Sequence, residues 1–100
     1  AAHSDHSPHH GGQLGMVGDV HIEMVETAGT IQIHLSDAER RPLLPAGGSL
    51  VFDTGSSTAL VGDGAVLRAP NDREAEEVTV NLTLDGVRPR TVEISYLLDR

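Results

Sequence analysis

The sequence contains no cysteine, no lysine and no tryptophan, and its aromatic side chains are only Phe52 and Tyr96. Without cysteine there is no disulfide framework and no thiolate metal site, so any bound metal must use imidazole, carboxylate, thioether or backbone donors. With two rings in 100 residues the core must be built from Val, Leu, Ile and Ala, and platforms for stacking bases or sugars are scarce. The seven cationic side chains are all Arg and form no basic run, and the net charge is −8. Nucleic acid and anionic membrane are poor partners for such a chain, because both require clustered cations. A cation suits it better.

No stretch approaches the roughly 20 apolar residues of a membrane span, which argues against direct membrane insertion, and no cleavable leader is present. A start at Ala1-Ala2-His3 fits the mature end left by signal-peptide cleavage, so an exported, periplasmic location is expected. A chain of 100 residues is sized for one domain, which buries about two-thirds of the surface it exposes when unfolded.

Residues 1–12 hold four of the six histidines with Ser, Asp, Pro and Gly, and no apolar residue larger than Ala. Residues 1–13 read as a flexible, His-rich, metal-binding tail and residues 14–100 as a single β-sandwich domain. From Leu14 onward, short apolar alternations predict strands at 14–17, 19–26, 30–36, 48–53, 58–61, 65–69, 77–84 and 90–98. Turn signals separate them, among them Gly18-Asp19, Ala28-Gly29, Pro45-Ala46-Gly47-Gly48 and Gly55-Ser56-Ser57. Short helical turns are expected near Ser36–Arg41 and Asp72–Glu77. The fold class is therefore all-β: an antiparallel seven- or eight-stranded immunoglobulin-like sandwich.

The second and third strands form the clearest hairpin. Val20, Ile22 and Met24 alternate with His21, Glu23 and Val25, and Ile31, Ile33 and Leu35 alternate with Thr30, Gln32 and His34. Both apolar sets must share the buried face, and a one-residue slip would send one of them into water. Two loops satisfy that parity. A loop at Thr27-Ala28, or the longer Glu26–Gly29, sets His21 opposite His34, and one at Ala28-Gly29 sets Glu23 opposite His34. Either way His21, Glu23 and His34 gather on the polar face, as an exposed cross-strand set. Opposed Cβ atoms lie about 5 Å apart, within reach of one Zn or Cu ion.

Three constellations point to metal. A free α-amine at Ala1, two backbone amides and the His3 imidazole can wrap Cu(II) or Ni(II) in a square plane of four nitrogens. His3, His6, His9 and His10 are spaced so that two or three imidazoles reach a common ion, and copper leads the divalent series at nitrogen sites. His21, Glu23 and His34 make the third set, which His9 or His10 can complete by folding back across Gly11-Gly12. Met16 and Met24 offer thioethers, but Met24 falls on the apolar face.

Leu50–Ser57, with its Asp53-Thr54-Gly55, resembles the active-site loop of pepsin-like and retroviral aspartic proteases. Such enzymes also need a flap hairpin and a later apolar segment ending in Ile/Leu-Gly packed against that loop, and no suitable Ile/Leu-Gly appears among the 47 residues after Asp53. The simpler reading is a strand, a Gly turn and the next strand, with no enzymatic activity. Asn81-Leu82-Thr83 matches a glycosylation acceptor, but it lies inside an alternating strand.

His10-Gly11-Gly12, the segment Gly18–Val25 and the late strand Val78–Gly86 together resemble small bacterial periplasmic domains of heavy-metal efflux and copper-resistance systems. The resemblance implies an exported β-sandwich with metal-related function; with the histidine constellations it leads to the expectation of copper binding, with zinc or nickel next, for buffering or delivery to a metal-efflux membrane complex. It matches the family's histidines to His10 and His21. A non-catalytic adaptor sandwich of an envelope assembly is the rival expectation.

Overall fold

Alternating apolar side chains bounded by Gly, Asn and Asp produce eight strands in the computed structural model, which describes residues 11–27, 29–39, 41, 43, 45–62, 66–84 and 90–98. They are β1 (Gln13–Val17), β2 (Val20–Glu26), β3 (Thr30–Ser36), β4 (Pro45–Phe52), β5 (Ser57–Ala59), β6 (Val66–Pro70), β7 (Glu77–Leu84) and β8 (Arg90–Leu97). Two antiparallel four-stranded sheets result, ordered β1-β2-β3-β6 and β5-β4-β7-β8. The chain changes sheet after β3, β5 and β6, the interleaved connections of an immunoglobulin-like sandwich.

Every expected strand is present, and the physical reason is local. Inward residues of β3, β6 and β7 alternate strictly with more exposed ones, so the period of two in the sequence is the period of burial in the fold. The core is aliphatic apart from Phe52 and Tyr96, with Ile22, Ile31, Ile33, Leu50, Val78, Val80 and Leu82 all fully buried. Ile33→Val is expected to cost about 1 kcal/mol through one lost methylene, read as a lower urea midpoint. An unchanged midpoint would mean that the site collapses freely around the smaller side chain.

Two expectations are corrected. Pro45–Gly48 is not a turn but the start of β4, with a bulge between Pro45 and Gly47. Proline is tolerated at the first residue of a strand, and Gly48 serves close approach: a Cβ there would lie 2.8 Å from the Asn81 carbonyl oxygen and from Leu82. Nor do the described residues of 36–41 and 72–77 form helix; they make hydrogen-bonded turns, closed by Asp37 and Asp72 carboxylates that accept from backbone N–H groups two residues on.

The sandwich closes where β1 meets β8. Gly15 faces inward, and a Cβ on it would come within 2.2 Å of Ile94 Cδ1 and 3.2 Å of the Tyr96 hydroxyl. Its bare backbone admits both side chains. Tyr96 then reaches across to donate a hydrogen bond to the Ile22 carbonyl on β2, and Gln13 Nε2 donates to the Leu97 carbonyl at 2.6 Å.

Candidate functional site

The β2–β3 hairpin adopts the second of its two allowed registers. Glu23 pairs with His34 and His21 with Ser36, and Thr27 N–H donates to the Thr30 carbonyl at 2.9 Å. On the other side of β2, Leu14 lies opposite Glu23 and Met16 opposite His21.

The face carrying these residues departs from expectation. His21 and Glu23 are not exposed: their fractional exposures are 0 % and 1 %. Among the described residues they are the only buried polar or charged side chains, in an interior otherwise apolar. Alternation places them on the sheet face away from the core, so β2 is covered on both sides. Flanking strands, the turn after β3 and the segment before β1 supply that cover.

The turn after β3 holds His21. The His21 Nδ1 lies 2.9 Å from the Asp37 carbonyl oxygen, so Nδ1 carries a proton, and in the neutral ring the lone pair is then on Nε2. A backbone carbonyl fixing one ring nitrogen while the other faces a ligand is the usual support of a metal-binding histidine. The turn is itself braced. Asp37 Oδ1 accepts from the Arg41 N–H at 2.8 Å and the Glu39 N–H at 2.9 Å, and Oδ2 pairs with Arg41 Nε at 2.9 Å. The Arg41 backbone N–H, the largest influence, acts with the Glu39 N–H and the Arg41 guanidinium to hold the Asp37 carboxyl below the usual carboxylate range, against the opposing effect of desolvation. The contribution of that carboxylate is present above its ordinary titration range and is lost only as pH falls through its lowered folded value. The turn therefore outlasts the pH range in which histidines protonate.

The segment before β1 holds Glu23. The Gly12 N–H donates to Glu23 Oε2 at 2.9 Å. Gly12 sits so close to β2 that a Cβ would lie 2.2 Å from the Met24 carbonyl oxygen. Gly11 has φ +78°, a left-handed conformation that favours glycine, and His10 precedes it in the sequence.

His34 lies opposite Glu23 and has Nε2 3.3 Å from Gln32 Oε1. The hairpin thus sets Glu23 directly opposite His34 and places His21 two residues further along β2, opposite Ser36. Among the described residues no three His, Asp or Glu side chains are grouped closely enough to hold a metal ion. Ala1, His3, His6, His9 and His10 lie outside the described residues. Met24 is in the core, as expected, and Met16 is 39 % exposed.

Asp53-Thr54-Gly55 forms the β4–β5 hairpin turn, with Gly55 at φ +96°. Asp53 Oδ1 accepts from the Glu76 N–H at 2.9 Å, and the Thr54 and Ser56 hydroxyls donate to Asp72 Oδ2. An open groove of about 490 Å³ beside them is lined by Phe52, Ser57, Thr58, Asn71 and Arg73, among others. These bonds tie the turn to the segment before β7, a structural use of each group. Asn81 lies mid-way along β7, paired with Ser49 and Glu93 on its two sides.

Sequence reasoning missed the Asp37 carbonyl and the Gly12 amide. The Asp37-Ala38-Glu39 pattern does signal an Asx turn, but a carbonyl contact 16 residues back leaves no trace in composition. No family model, curated protein or solved structure matches the chain.

Proposed function

We propose that this protein binds a transition-metal ion, Cu(II) first and Zn(II) or Ni(II) next, as a non-catalytic periplasmic carrier that buffers the metal or delivers it to an efflux complex. The observation that carries the proposal is the buried pair His21 and Glu23, lying where the His-rich segment joins the domain. An ionised carboxylate and an imidazole inside an aliphatic fold are costly unless other groups compensate them, and a cation compensates a carboxylate directly. The ligands come from the set Ala1, His3, His6, His9, His10, His21, Glu23 and His34, and a copper ion would add nothing beyond its own coordination. No step of bond making or breaking is involved.

Calorimetric titration of Cu(II) and Zn(II) into the metal-free protein tests this. Imidazole must be neutral to bind metal, and peptide histidines titrate near 6.5, so each imidazole ligand should weaken binding about thirty-fold between pH 7.5 and pH 5. Tight binding at the higher pH that fades at the lower is the expected result. If neither ion binds, the metal reading falls and an adaptor role takes its place; equal affinity at both pH values would argue against imidazole ligands.

A further inference from the structure

We infer that this chain pairs with a second copy of itself along the outer edge of β8, the two β8 strands running antiparallel and joining two four-stranded sheets into one across a twofold axis. The inference stands apart from the metal-binding reading and uses none of its residues.

The outer edge of a sheet presents backbone groups that invite another strand. Hydrogen-bond parity identifies those groups on β8. Leu98 N–H donates to the Glu76 carbonyl, so the even-numbered residues of β8 bond β7, while Thr91, Glu93, Ser95 and Leu97 turn their N–H and C=O groups outward. Gln13 agrees with this direction, since its side chain reaches the Leu97 carbonyl from the neighbouring sheet. Among the described residues no other hydrogen bond reaches these outward groups. The other three edges are blunted. On β6 the Arg68 N–H and carbonyl bond Val61, and the strand ends in Pro70, which has no N–H. β5 is three residues long and β1 five. β8 instead pairs with β7 along its full eight residues without a register shift, and residues 91–97 contain no proline and one charge, Glu93.

Side chains select a second copy as the occupant. Thr91, Glu93, Ser95 and Leu97 are exposed on the outer face, and Ile94 lies half-buried at the border of the core. A twofold axis through Ile94 brings the outward groups of Glu93 and Ser95 onto those of their counterparts, with Glu93 opposite the partner's Ser95 and Thr91 opposite the partner's Leu97. It also sets the two Ile94 side chains against each other, so that the aliphatic core continues from one copy into the next. The Thr79 and Ser95 hydroxyls are 2.9 Å apart, and with Thr79 as donor the Ser95 proton is left for the partner's Glu93. An axis through Glu93 would oppose two carboxylates, and one through Ser95 would oppose Glu93 to the partner's Leu97. The net charge of −8 works against association until salt screens it.

Sedimentation equilibrium of the full chain from about 1 μM to about 1 mM tests this, because an edge-to-edge contact belongs to the small, weak class of interfaces. A reversible dimer that tightens as salt is raised is the expected result. Ser95→Arg meets the partner's Glu93 twice per dimer and should tighten it about five-fold, whereas Ser95→Glu should weaken it about five-fold. Ser57→Arg, the same charge change on β5 at the far edge of the sheet, gives the background from net charge alone. Ser95→Pro removes an outward N–H, which an edge strand tolerates, and should loosen the dimer at least about ten-fold while circular dichroism shows the fold intact. If the proline variant unfolds, the charge variants decide. A chain that stays monomeric throughout, equal responses to Ser95→Arg and Ser57→Arg, or a folded Ser95→Pro that dimerises as before each overturns the inference.

Discussion

Gly12→Val is expected to destabilise the domain by about 3–5 kcal/mol, against about 1–2 kcal/mol for Gly11→Ala one position earlier. The contrast follows from what surrounds two adjacent glycines. A Cβ on Gly11 meets nothing within 4 Å, and its cost comes only from φ +78°, a left-handed conformation that an L side chain adopts at about 1–2 kcal/mol. A Cβ on Gly12 meets the Met24 carbonyl oxygen at 2.2 Å and the Met24 carbonyl carbon at 2.9 Å, atoms of a central strand with no rotamer to move. Overpacking of that kind costs about 1–3 kcal/mol. Displacing the Gly12 N–H from Glu23 also removes a charge-assisted hydrogen bond from a carboxylate that is 1 % exposed, a further 1–3 kcal/mol or so. A domain of this size has about 5–15 kcal/mol in all, so the variant should melt far below its neighbour. Urea unfolding of both variants checks this, and equal midpoints would show that the Gly12 contact carries no energy.

Alkaline titration is the second large effect. With no Lys, no Cys and one Tyr, Tyr96 is the only side chain expected to titrate between about pH 8 and 12. Burial, with a smaller push from the Glu23 charge, raises the Tyr96 phenol far above its ordinary value near 10. Phenolate absorbance should therefore stay absent through pH 10 to 11 and appear together with unfolding. The sign is fixed by linkage: a folded value above the unfolded one gives stability that is fully present below about pH 10 and is lost as pH rises toward the folded value. Tyr96→Phe should cost about 1–3 kcal/mol at neutral pH, since it leaves the Ile22 carbonyl without its hydroxyl donor. The same variant should be nearly insensitive to pH between 8 and 11. Phenolate forming reversibly near pH 10 in the folded protein would show that Tyr96 is solvated.

All eight strands were legible in the sequence because a strand's signature is a period of two within a few residues, punctuated by Gly, Asn and Asp. Parity of the β2–β3 pairing was legible too, since burying both Val20-Ile22-Met24 and Ile31-Ile33-Leu35 admits no odd slip. Which of two even registers forms was not, because each loop suits the same apolar faces; the fold sets Glu23, not His21, opposite His34. Glycines misled for a related reason. Gly48 has the composition of a turn residue, yet its role is to let Asn81 and Leu82 of β7 approach, strands apart in sequence.

The sequence by itself determined the strands, the aliphatic core, the acidic charge and the concentration of histidine before Gly11. Tertiary structure alone decided that His21 and Glu23 are buried. Alternation states on which side of a strand a residue lies, a local property, whereas what covers that side depends on distant chain: the Asp37 carbonyl 16 residues from His21, and the Gly12 amide 11 residues from Glu23. A polar pair that reads as solvated surface thus becomes a buried imidazole and carboxylate at the root of the His-rich segment, the feature on which the metal-binding proposal stands.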